Sequence, residues 1–268
     1  MRFLIIFDSW KPKAEKLAGE IQNWLREKGI DSVLKPEDLD GFGDEPPMAL
    51  LLGGDGFINR NGYELAKRDI PFLGINFGTV GYLAIAEPSE WEKAVQRFLD
   101  GRYKIERRKV LKGSLGKEKF YAVNDVVLHR GLQKLVRMKV KVDGRVVYRN
   151  IGGDGMIVCS AIGSTAYNLA AGGPIIETGF GLTPIAVHRI NIKPLPLPED
   201  KVIEIICLGG SFDPDAEYVL EVDGDNSRRV RIGDKIKVQY SDSPIIVFIV
   251  PEGFSFIKSL QDKLGLTK

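Results

Sequence analysis

The sequence predicts two domains, an α/β domain followed by an antiparallel β domain, and three observations support this fold class. The chain has 268 residues, more than the roughly 100–200 of one typical domain. Over the first part of the chain, continuous apolar runs alternate with amphipathic helical patterns, which is typical of a doubly wound α/β domain with a parallel sheet. After Arg102 the pattern changes to short β-branched segments of alternating polarity, which indicate antiparallel strands.

The first domain is predicted to alternate strands and helices. Phe3–Phe7 is an apolar run of the kind found in a strand buried on both faces. Apolar residues from Ala14 to Leu25 then recur at helical spacing, and Gly29 follows where a helix commonly ends. The further strands are predicted at Ile30–Leu34, Met48–Leu52 and Pro71–Ile75, and the further helices at Ile58–Lys67 and Glu90–Asp100.

The second domain is predicted to consist of strands. They are expected at Lys119–His129, Leu135–Val142, Arg145–Ile151, Met156–Ser160, Val202–Leu208, Tyr218–Val222 and Arg229–Tyr240. The Asp143-Gly144 pair predicts a two-residue hairpin between two of them. A last apolar strand, Ile245–Val250, precedes a helical pattern at Phe254–Leu264, and the pattern assigns neither to a particular domain.

The composition of the chain argues against nucleic acid and membranes as binding partners. The 38 Lys and Arg nearly balance the 36 Asp and Glu, so the chain lacks the basic excess that binds nucleic acid. It has no apolar run near the roughly 20 residues that cross a bilayer, and its N-terminal segment lacks the cleavage site of a secretory signal. These features predict a cytoplasmic protein with no membrane or nucleic-acid partner. Cys159 and Cys207 lack zinc-site spacing and are expected to be buried thiols.

The segment Gly53-Gly54-Asp55-Gly56 directly follows a buried strand. Glycines at such a point let backbone N–H groups approach an anion closely, and the following helix directs its positive end toward it. The segment therefore indicates polyphosphate binding, although it lacks the P-loop signature. The structural alternative is a tight turn in which Asp55 caps the helix.

A second group of small residues comprises Gly153-Asp154-Gly155, Gly163 to Tyr167 and Gly172-Gly173-Pro174. Glycines and hydroxyls around one aromatic residue suit a pocket that accepts a flat ring and hydrogen-bonds its edge. The alternative is a glycine-rich turn beside a buried tyrosine.

The polar pair Asn124-Asp125 interrupts an apolar run. Buried polar side chains need partners, and a carboxylate beside an amide suits the vicinal hydroxyls of a ribose. The alternative is a kink in an edge strand that faces water.

In this order and at these separations, the three segments resemble the NAD kinase family, the ATP-NAD or polyphosphate-NAD kinases. The resemblance spans essentially the whole chain. It implies an N-terminal α/β domain of the Rossmann-like kind and a C-terminal β domain, with the final segment returning to the first domain. The expected boundaries are 1–102 for the α/β domain with the phosphate loop, 103–244 for the β-rich NAD-binding domain, and 245–268 for the segment that packs on the first domain.

The resemblance also implies a reaction. The enzyme would phosphorylate NAD at the 2′-hydroxyl of the adenosine ribose to make NADP, with ATP or another polyphosphate as donor and Asp55 as general base. Mg²⁺, or another divalent cation, would arrive on the donor phosphates, so no protein residue is predicted as a metal ligand. The family also implies a homo-oligomer, a dimer or a tetramer.

The resemblance also implies which residues of this sequence form the site. Gly53, Gly54 and Gly56 would hold phosphates together with Arg60, and Tyr82 would lie against the adenine. Asn124 and Asp125 would bind NAD near a ribose, and Asp154 matches a carboxylate of the family pattern. The stretch that would surround the adenine and adjoining groups consists of Thr165, Ala166, Tyr167, Asn168, Leu169 and Ala170.

Three features fall outside or depart from the family pattern. Phe57 replaces the usual Thr after Gly-Gly-Asp-Gly and removes a hydroxyl near the expected phosphates. Asp225, also expected to bind substrate, stands where an amide or hydroxyl is commoner. His129 and His188 belong to no catalytic motif and are interpreted as structural.

The sequence leaves two alternative functions open. One is another kinase with a Gly-Gly-Asp-Gly loop, such as a diacylglycerol or sphingosine lipid kinase or a 6-phosphofructokinase. That rival explains neither Gly163 to Tyr167 nor the Asn124-Asp125 pair. The other is a non-catalytic NAD-binding protein.

Overall fold

The computed structural model describes residues 2–35, 47–78, 84–188, 192–210 and 217–253, with only the backbone of Asp225 and Asn226. The described chain forms two compact units. The first comprises the chain up to Arg108 and again from Ser243, and the second comprises Lys109–Asp242. Two strands, β5 (Tyr103–Leu115) and β16 (Lys235–Pro251), run from one unit into the other.

The first unit is a parallel sheet with helices. Its strands are β1 (Arg2–Phe7), β2 (Asp31–Leu34), β3 (Met48–Gly53) and β4 (Phe72–Asn76), and its helices are α1 (Pro12–Glu27), α2 (Asp55–Ala66) and α3 (Trp91–Leu99). The strand order is β2-β1-β3-β4, and each neighbouring pair is parallel. The end of β16 pairs in parallel with β4, Phe248 opposite Phe72, so the chain returns to this sheet.

Burial in the first unit follows the apolar patterns of the sequence. The five residues of α1 that recur at helical spacing are all buried, and they pack with the apolar side chains of β1 and β3. Gly29 has a φ of +71°, the left-handed conformation that commonly ends a helix. The predictions for these elements are confirmed to within a few residues at their ends.

The second unit consists of antiparallel strands. The further strands are β6 (Glu118–Ala122), β7 (Asp125–His129), β8 (Val136–Val142), β9 (Arg145–Gly153), β10 (Gly155–Cys159), β11 (Phe180–Ile185), β12 (Leu195–Leu197), β13 (Ile203–Gly209), β14 (Tyr218–Val222) and β15 (Asp225–Val230). One sheet has the order β12-β11-β10-β7-β14-β15, and another contains β16, β13, β8 and β9. Side chains from both, including Val126, Met156, Met138 and Ile205, share one apolar core. The predicted fold class is thus confirmed, an α/β unit followed by an antiparallel β unit.

Two predicted strands are wrong in their extent. The run Lys119–His129 is two strands, because the chain bends at Val123 and Asn124 between β6 and β7. The run Arg229–Tyr240 is interrupted by a turn with Gly233 at φ +92°. Ile245–Val250 is the end of the longer β16, while the predicted helix Phe254–Leu264 lies outside the described residues.

The hairpin turn and the two cysteines agree with the sequence-based expectations. Asp143 and Gly144 have φ values of +48° and +76°, the pattern of the predicted hairpin turn. Cys159 and Cys207 are both buried free thiols, and burial raises the pKa of Cys159 to about 12. None of the described helices is both long and apolar enough to span a membrane.

Candidate active site

Strand β3 and helix α2 place Asp55 at the end of a buried strand. Every residue of β3 is buried, so the strand is held firmly within the sheet. Gly54 is the N-cap of α2, and Asp55 is its first residue. The alternative that Asp55 itself caps the helix is therefore wrong. The first N–H groups of a helix lack intrahelical acceptors and carry partial positive charge, so anions bind favourably at this position.

The loops after β3 and β4 touch each other through glycine. A Cβ atom on Gly54 would lie 3.3 Å from the Cα of Gly78, and one on Gly78 would lie 3.0 Å from the Cα of Gly54. The N–H of Phe77 donates to the carbonyl of Gly53 at 2.9 Å. The N–H of Gly78 donates to the side-chain carbonyl of Asn76 at 2.8 Å. A side chain at Gly54 would therefore crowd the backbone at Gly78.

Lys11 is a cation at this loop that the sequence analysis missed. Its Nζ atom donates to the carbonyl of Phe77 at 2.5 Å and would lie 3.4 Å from a Cβ on Gly54. Lys11 follows β1, the neighbour of β3 in the parallel sheet. Because neighbouring parallel strands end at the same edge, that order could have suggested that Lys11 lies beside the glycine loop.

Helix α2 carries the other predicted phosphate contacts. A Cβ on Gly53 would overlap the ring of Phe57, so Phe57 covers the start of the loop. Gly56 is exposed with open space where a side chain would stand, so packing does not require glycine there. Arg60 lies further along α2, exposed, and lines a cavity of about 450 Å³ together with Phe57.

In the second unit, Asp223 holds the bend that contains Asn124 and Asp125. Its carboxylate accepts hydrogen bonds from the backbone N–H groups of Val123, Asn124 and Asp125, at 2.8, 2.7 and 3.1 Å. The N–H of Asp223 in turn donates to the carbonyl of Asp125 at 3.0 Å. Asp223 lies in the turn between β14 and β15, some hundred positions away, and sequence reasoning did not select it.

Asp125 begins β7, which is a central strand between β10 and β14. The alternative of a kinked edge strand facing water is therefore wrong. The side chain is only 4% exposed. Burial, and then the nearby carboxylates of Asp223 and Glu221, raise the pKa of Asp125 to about 7. Near neutral pH this carboxyl group can therefore accept or donate hydrogen bonds.

The turn after β10 packs on the same bend. Ser160 is fully buried, and its hydroxyl donates to the carbonyl of Val123 at 2.5 Å and accepts from the N–H of Gly163 at 3.0 Å. A Cβ on Gly163 would overlap the carbonyl oxygen of Asn124. The glycine and serine of this turn therefore bring the following segment against Asn124.

That segment is a 3₁₀ turn (Ile162–Thr165) followed by the short helix α4 (Tyr167–Ala170). Asn168 is fully buried, and its Nδ2 donates to the carbonyls of Ser164 and Pro174 at 3.0 Å each. Its Oδ1 accepts from the hydroxyl of Thr183 at 2.6 Å. Asn168 thus shapes the segment through contacts within the protein.

The other residues predicted around the adenine are more accessible than Asn168. Thr165, Ala166 and Leu169 are half-buried, and Tyr167 and Ala170 are exposed. The alternative of a buried tyrosine is wrong, because Tyr167 is 41% exposed. Burial of part of its ring nevertheless raises the pKa of Tyr167.

Asp154 and Tyr167 line one cavity of about 320 Å³ in the second unit. Tyr167 stacks on His129 with ring centroids 6.1 Å apart, and the Nε2 of His129 lies 3.1 Å from a carboxylate oxygen of Glu221. Arg130 Nε donates to Asp154 at 2.8 Å. His129, Arg130 and Glu221 were not predicted at the site. They meet there because of antiparallel pairing. Strand β7, which ends at His129, pairs on one side with β10, so that Gly155 lies opposite His129. On its other side β7 pairs with β14, which contains Glu221.

Two predicted residues lie beyond what the structure describes. Tyr82 falls outside the described residues, as does the side chain of Asp225. The described chain contains no group of three or more His, Cys, Asp or Glu residues that could hold a metal ion.

Family models match both units. The model of the ATP-NAD kinase N-terminal domain matches residues 37–103, and that of the ATP-NAD kinase C-terminal domain matches residues 123–249. The NAD kinase of Thermomicrobium roseum is 33% identical over 98% of this chain and 91% of its own. The NAD kinase of Lachnospira eligens is 31% identical over 98% of this chain and 99% of its own.

Solved structures share the fold of this chain. Yeast NADH kinase in complex with NADH has a TM-score of 0.84 at 24% identity and covers all of this chain and 88% of that one, which shows the shared fold. An NAD kinase from Archaeoglobus fulgidus in complex with ATP has a TM-score of 0.76 at 28% identity and covers both chains completely. The resemblance inferred from the motifs is confirmed, as is the prediction of an enzyme, and the chain belongs to the NAD kinase family.

Proposed function

We propose that this chain transfers the terminal phosphate of ATP to the 2′-hydroxyl of the adenosine ribose of NAD, giving NADP and ADP. Relatives named NAD kinase over nearly the full length support NAD as acceptor. The Archaeoglobus fulgidus relative in complex with ATP supports ATP as donor. Inorganic polyphosphate is a second donor to be tested.

The observation that carries the proposal is the position of Asp55. It stands at the first residue of α2, at the end of a buried strand, on a loop where two glycine backbones touch and the Lys11 ammonium lies close by. Backbone N–H groups and an ammonium suit the phosphates of a donor. A carboxylate at the same loop suits proton removal from the attacking hydroxyl.

The proposed reaction is an in-line phosphoryl transfer to the ribose hydroxyl. The 2′-oxygen of the ribose forms a bond to the γ-phosphorus of ATP, and the bond from that phosphorus to the β,γ-bridging oxygen breaks. The hydroxyl proton passes to the carboxylate of Asp55, and ADP leaves. Phosphoryl transfer depends mainly on positioning and charge neutralisation, so a loop, a cation and a base form a sufficient protein contribution.

We assign recognition of NAD to the second unit. Asn124 and Asp125 lie in a bend held by Asp223, and the turn at Gly163 packs on that bend. Asp154 and Tyr167 line a cavity that offers an aromatic face and charged groups. These features support contacts to the ribose and to a flat ring.

The described residues contain no group of three or more His, Cys, Asp or Glu side chains placed so that they could hold a metal ion such as Mg²⁺. We therefore propose that the cation is bound mainly by donor phosphate oxygens and water. When bound, it neutralises phosphate charge.

The test is Asp55→Asn, assayed for NADP formation from NAD and ATP. We expect kcat to fall by at least about a hundredfold, since a positioned base contributes about 10²–10⁴ in rate, with NAD affinity by calorimetry nearly unchanged. Glu64→Gln, an exposed carboxylate on the same helix, is the matched control and should retain activity. Retained turnover in Asp55→Asn would contradict the assignment of the base, and a wild-type protein that binds NAD without forming NADP would indicate a binding protein.

A further inference from the structure

The hydroxyl of Tyr240 joins two loops of the second unit. Tyr240 lies on β16, and its hydroxyl donates a hydrogen bond to the carbonyl of Gly179 at 2.6 Å. The same oxygen accepts from the backbone N–H of Ala161 at 3.0 Å. Ala161 follows the end of β10, and Gly179 directly precedes β11. One side chain, 79 and 61 positions away along the chain, therefore connects the end of β10 to the start of β11.

Two of these three residues are fixed by packing. The ring of Tyr240 is half-buried against the apolar core, with its centroid 4.6 Å from that of the fully buried Phe180. Gly179 has a φ of +83°, and a Cβ there would overlap the carbonyl oxygen of Leu197. Because Tyr240 and Gly179 are held in this way, the hydroxyl determines where Ala161 lies.

Ala161 is the point from which the segment assigned to NAD departs. It is the N-cap of the 3₁₀ turn that leads to α4, and its carbonyl accepts from the hydroxyl of Ser164 at 2.7 Å. Immediately before it, the N–H of Ser160 donates to the carbonyl of Asn124 at 2.8 Å. The turn is thus held on one side by the bend at Asn124 and on the other by the hydroxyl of Tyr240.

We propose that Tyr240 is a positioning residue for the acceptor, which sets the affinity for NAD by holding the turn at Ala161 in place. The inference rests on the proposed function and deepens it, because it adds a residue that acts through the turn and not on the reacting atoms. The segment Thr165–Ala170 then keeps the distance from Asn124 that a bound nucleoside requires. Without the hydroxyl, the N–H of Ala161 and the carbonyl of Gly179 lose this partner, and the turn shifts to replace it.

The kinetic test is Tyr240→Phe, which removes the hydroxyl and keeps the ring against Phe180. We expect the KM for NAD to rise about three- to tenfold, as the loss of one or two hydrogen bonds predicts. The KM for ATP should not change, because the proposed donor contacts lie in the first unit. A merely structural role would lower the fraction of folded enzyme, and hence kcat, without changing either KM. An unchanged KM for NAD, or an equal rise in both KM values, overturns the inference.

Tyr148→Phe is the matched control. Tyr148 is a half-buried tyrosine of the same unit that packs against the same core, and its hydroxyl donates to the carbonyl of Lys193 at 3.0 Å. It lies on β9, outside the segment assigned to NAD. We expect this variant to melt at a lower temperature with an unchanged KM for NAD. If its KM for NAD rises as much as that of Tyr240→Phe, the loss of any such hydroxyl has the same effect and the inference fails.

Amide hydrogen exchange follows the turn in the protein without substrate. The N–H of Ala161 donates to Tyr240, whereas that of Val158 belongs to β10, which pairs with a strand on either side. We expect exchange in Tyr240→Phe to become faster at Ala161 and to stay unchanged at Val158. Unchanged exchange at Ala161 contradicts the role given to the hydroxyl.

Calorimetry with NAD separates this inference from the proposed function. A wild-type protein that binds NAD without forming NADP would contradict the proposed function. Weaker NAD binding by Tyr240→Phe than by that wild type would still sustain the role of Tyr240. Equal NAD affinities of the two proteins would overturn that role even in an active kinase.

Discussion

Asp125, which we propose to contact the ribose of NAD, is buried at a cost in stability. Its carboxyl group is buried near the carboxylates of Asp223 and Glu221, and its pKa is raised to about 7. The thiol of Cys159 and the hydroxyl of Tyr167 lie close enough for the charge of Asp125 to affect them. Ionisation of Asp125 in the folded protein is therefore opposed by burial and by like charge.

We expect Asp125→Asn to weaken NAD binding. Ribose hydroxyls would lose a hydrogen bond to a carboxylate in a partly dry site, at a cost of about 1–3 kcal/mol. The KM for NAD should rise roughly ten- to a hundredfold, with little change in the KM for ATP. Unchanged NAD affinity in calorimetry would contradict the assignment of Asp125 to the ribose.

The same substitution should stabilise the protein at high pH. A raised carboxyl pKa means that the folded state holds a proton which the unfolded state releases near pH 4, so stability falls as pH rises from about 4 to about 7. Asn carries no such penalty. The melting temperature of Asp125→Asn relative to wild type should therefore increase more at pH 8 than at pH 5.

Asp143→Asn is a control, because the pKa of Asp143 is shifted in the opposite direction to that of Asp125. Hydrogen bonds from the backbone of Val202 and from Lys201 hold the pKa of Asp143 below its usual range. Replacement of this exposed carboxylate should not raise the melting temperature at pH 8. It should also leave the KM for NAD unchanged. A pH-independent effect of Asp125→Asn would show that ionisation of Asp125 is not its cause.

The turn after β10 depends on a glycine, Gly163. A Cβ on Gly163 would overlap the carbonyl of Asn124, so Gly163→Ala must displace either the turn or the bend. We expect a loss of about 1–3 kcal/mol in the free energy of unfolding, the usual cost of overpacking, together with weaker NAD binding. Chemical denaturation measures the first effect and calorimetry the second.

Gly56→Ala is the matched control for the effect of Gly163→Ala on stability. A side chain at Gly56 would meet open space, and alanine favours a helix over glycine, so unfolding should occur at the same or a slightly higher denaturant concentration. If both variants lose equal stability, close approach at Gly163 is not the reason for its glycine.

Elements were predicted well where one local pattern dominated. The apolar runs of β1, β3 and β4 and the helical spacing of α1 reflect burial of whole faces, which is visible in the sequence itself. Strand β5 was missed because charged residues interrupt its pattern, and β11 because it contains Gly181 and Pro184. In such strands, pairing with neighbours outweighs intrinsic preference.

Family membership predicts that this protein is a homo-oligomer, a dimer or a tetramer. Light scattering of the purified protein at working concentration should give a mass at least twice the 29.8 kDa of one chain. A monomer under assay conditions, with full activity, would contradict this prediction.

The sequence alone determined the fold class, the position of the glycine loop and the family, because each rests on short segments whose residue types carry the information. Only the tertiary structure brought Lys11 to Gly54, Asp223 to the bend at Asn124, and the pair His129–Tyr167 together with Asp154 around one cavity. These contacts join residues separated by up to a hundred positions. Local periodicity reports which face of a segment is buried, whereas strand order and pairing register decide which buried faces meet.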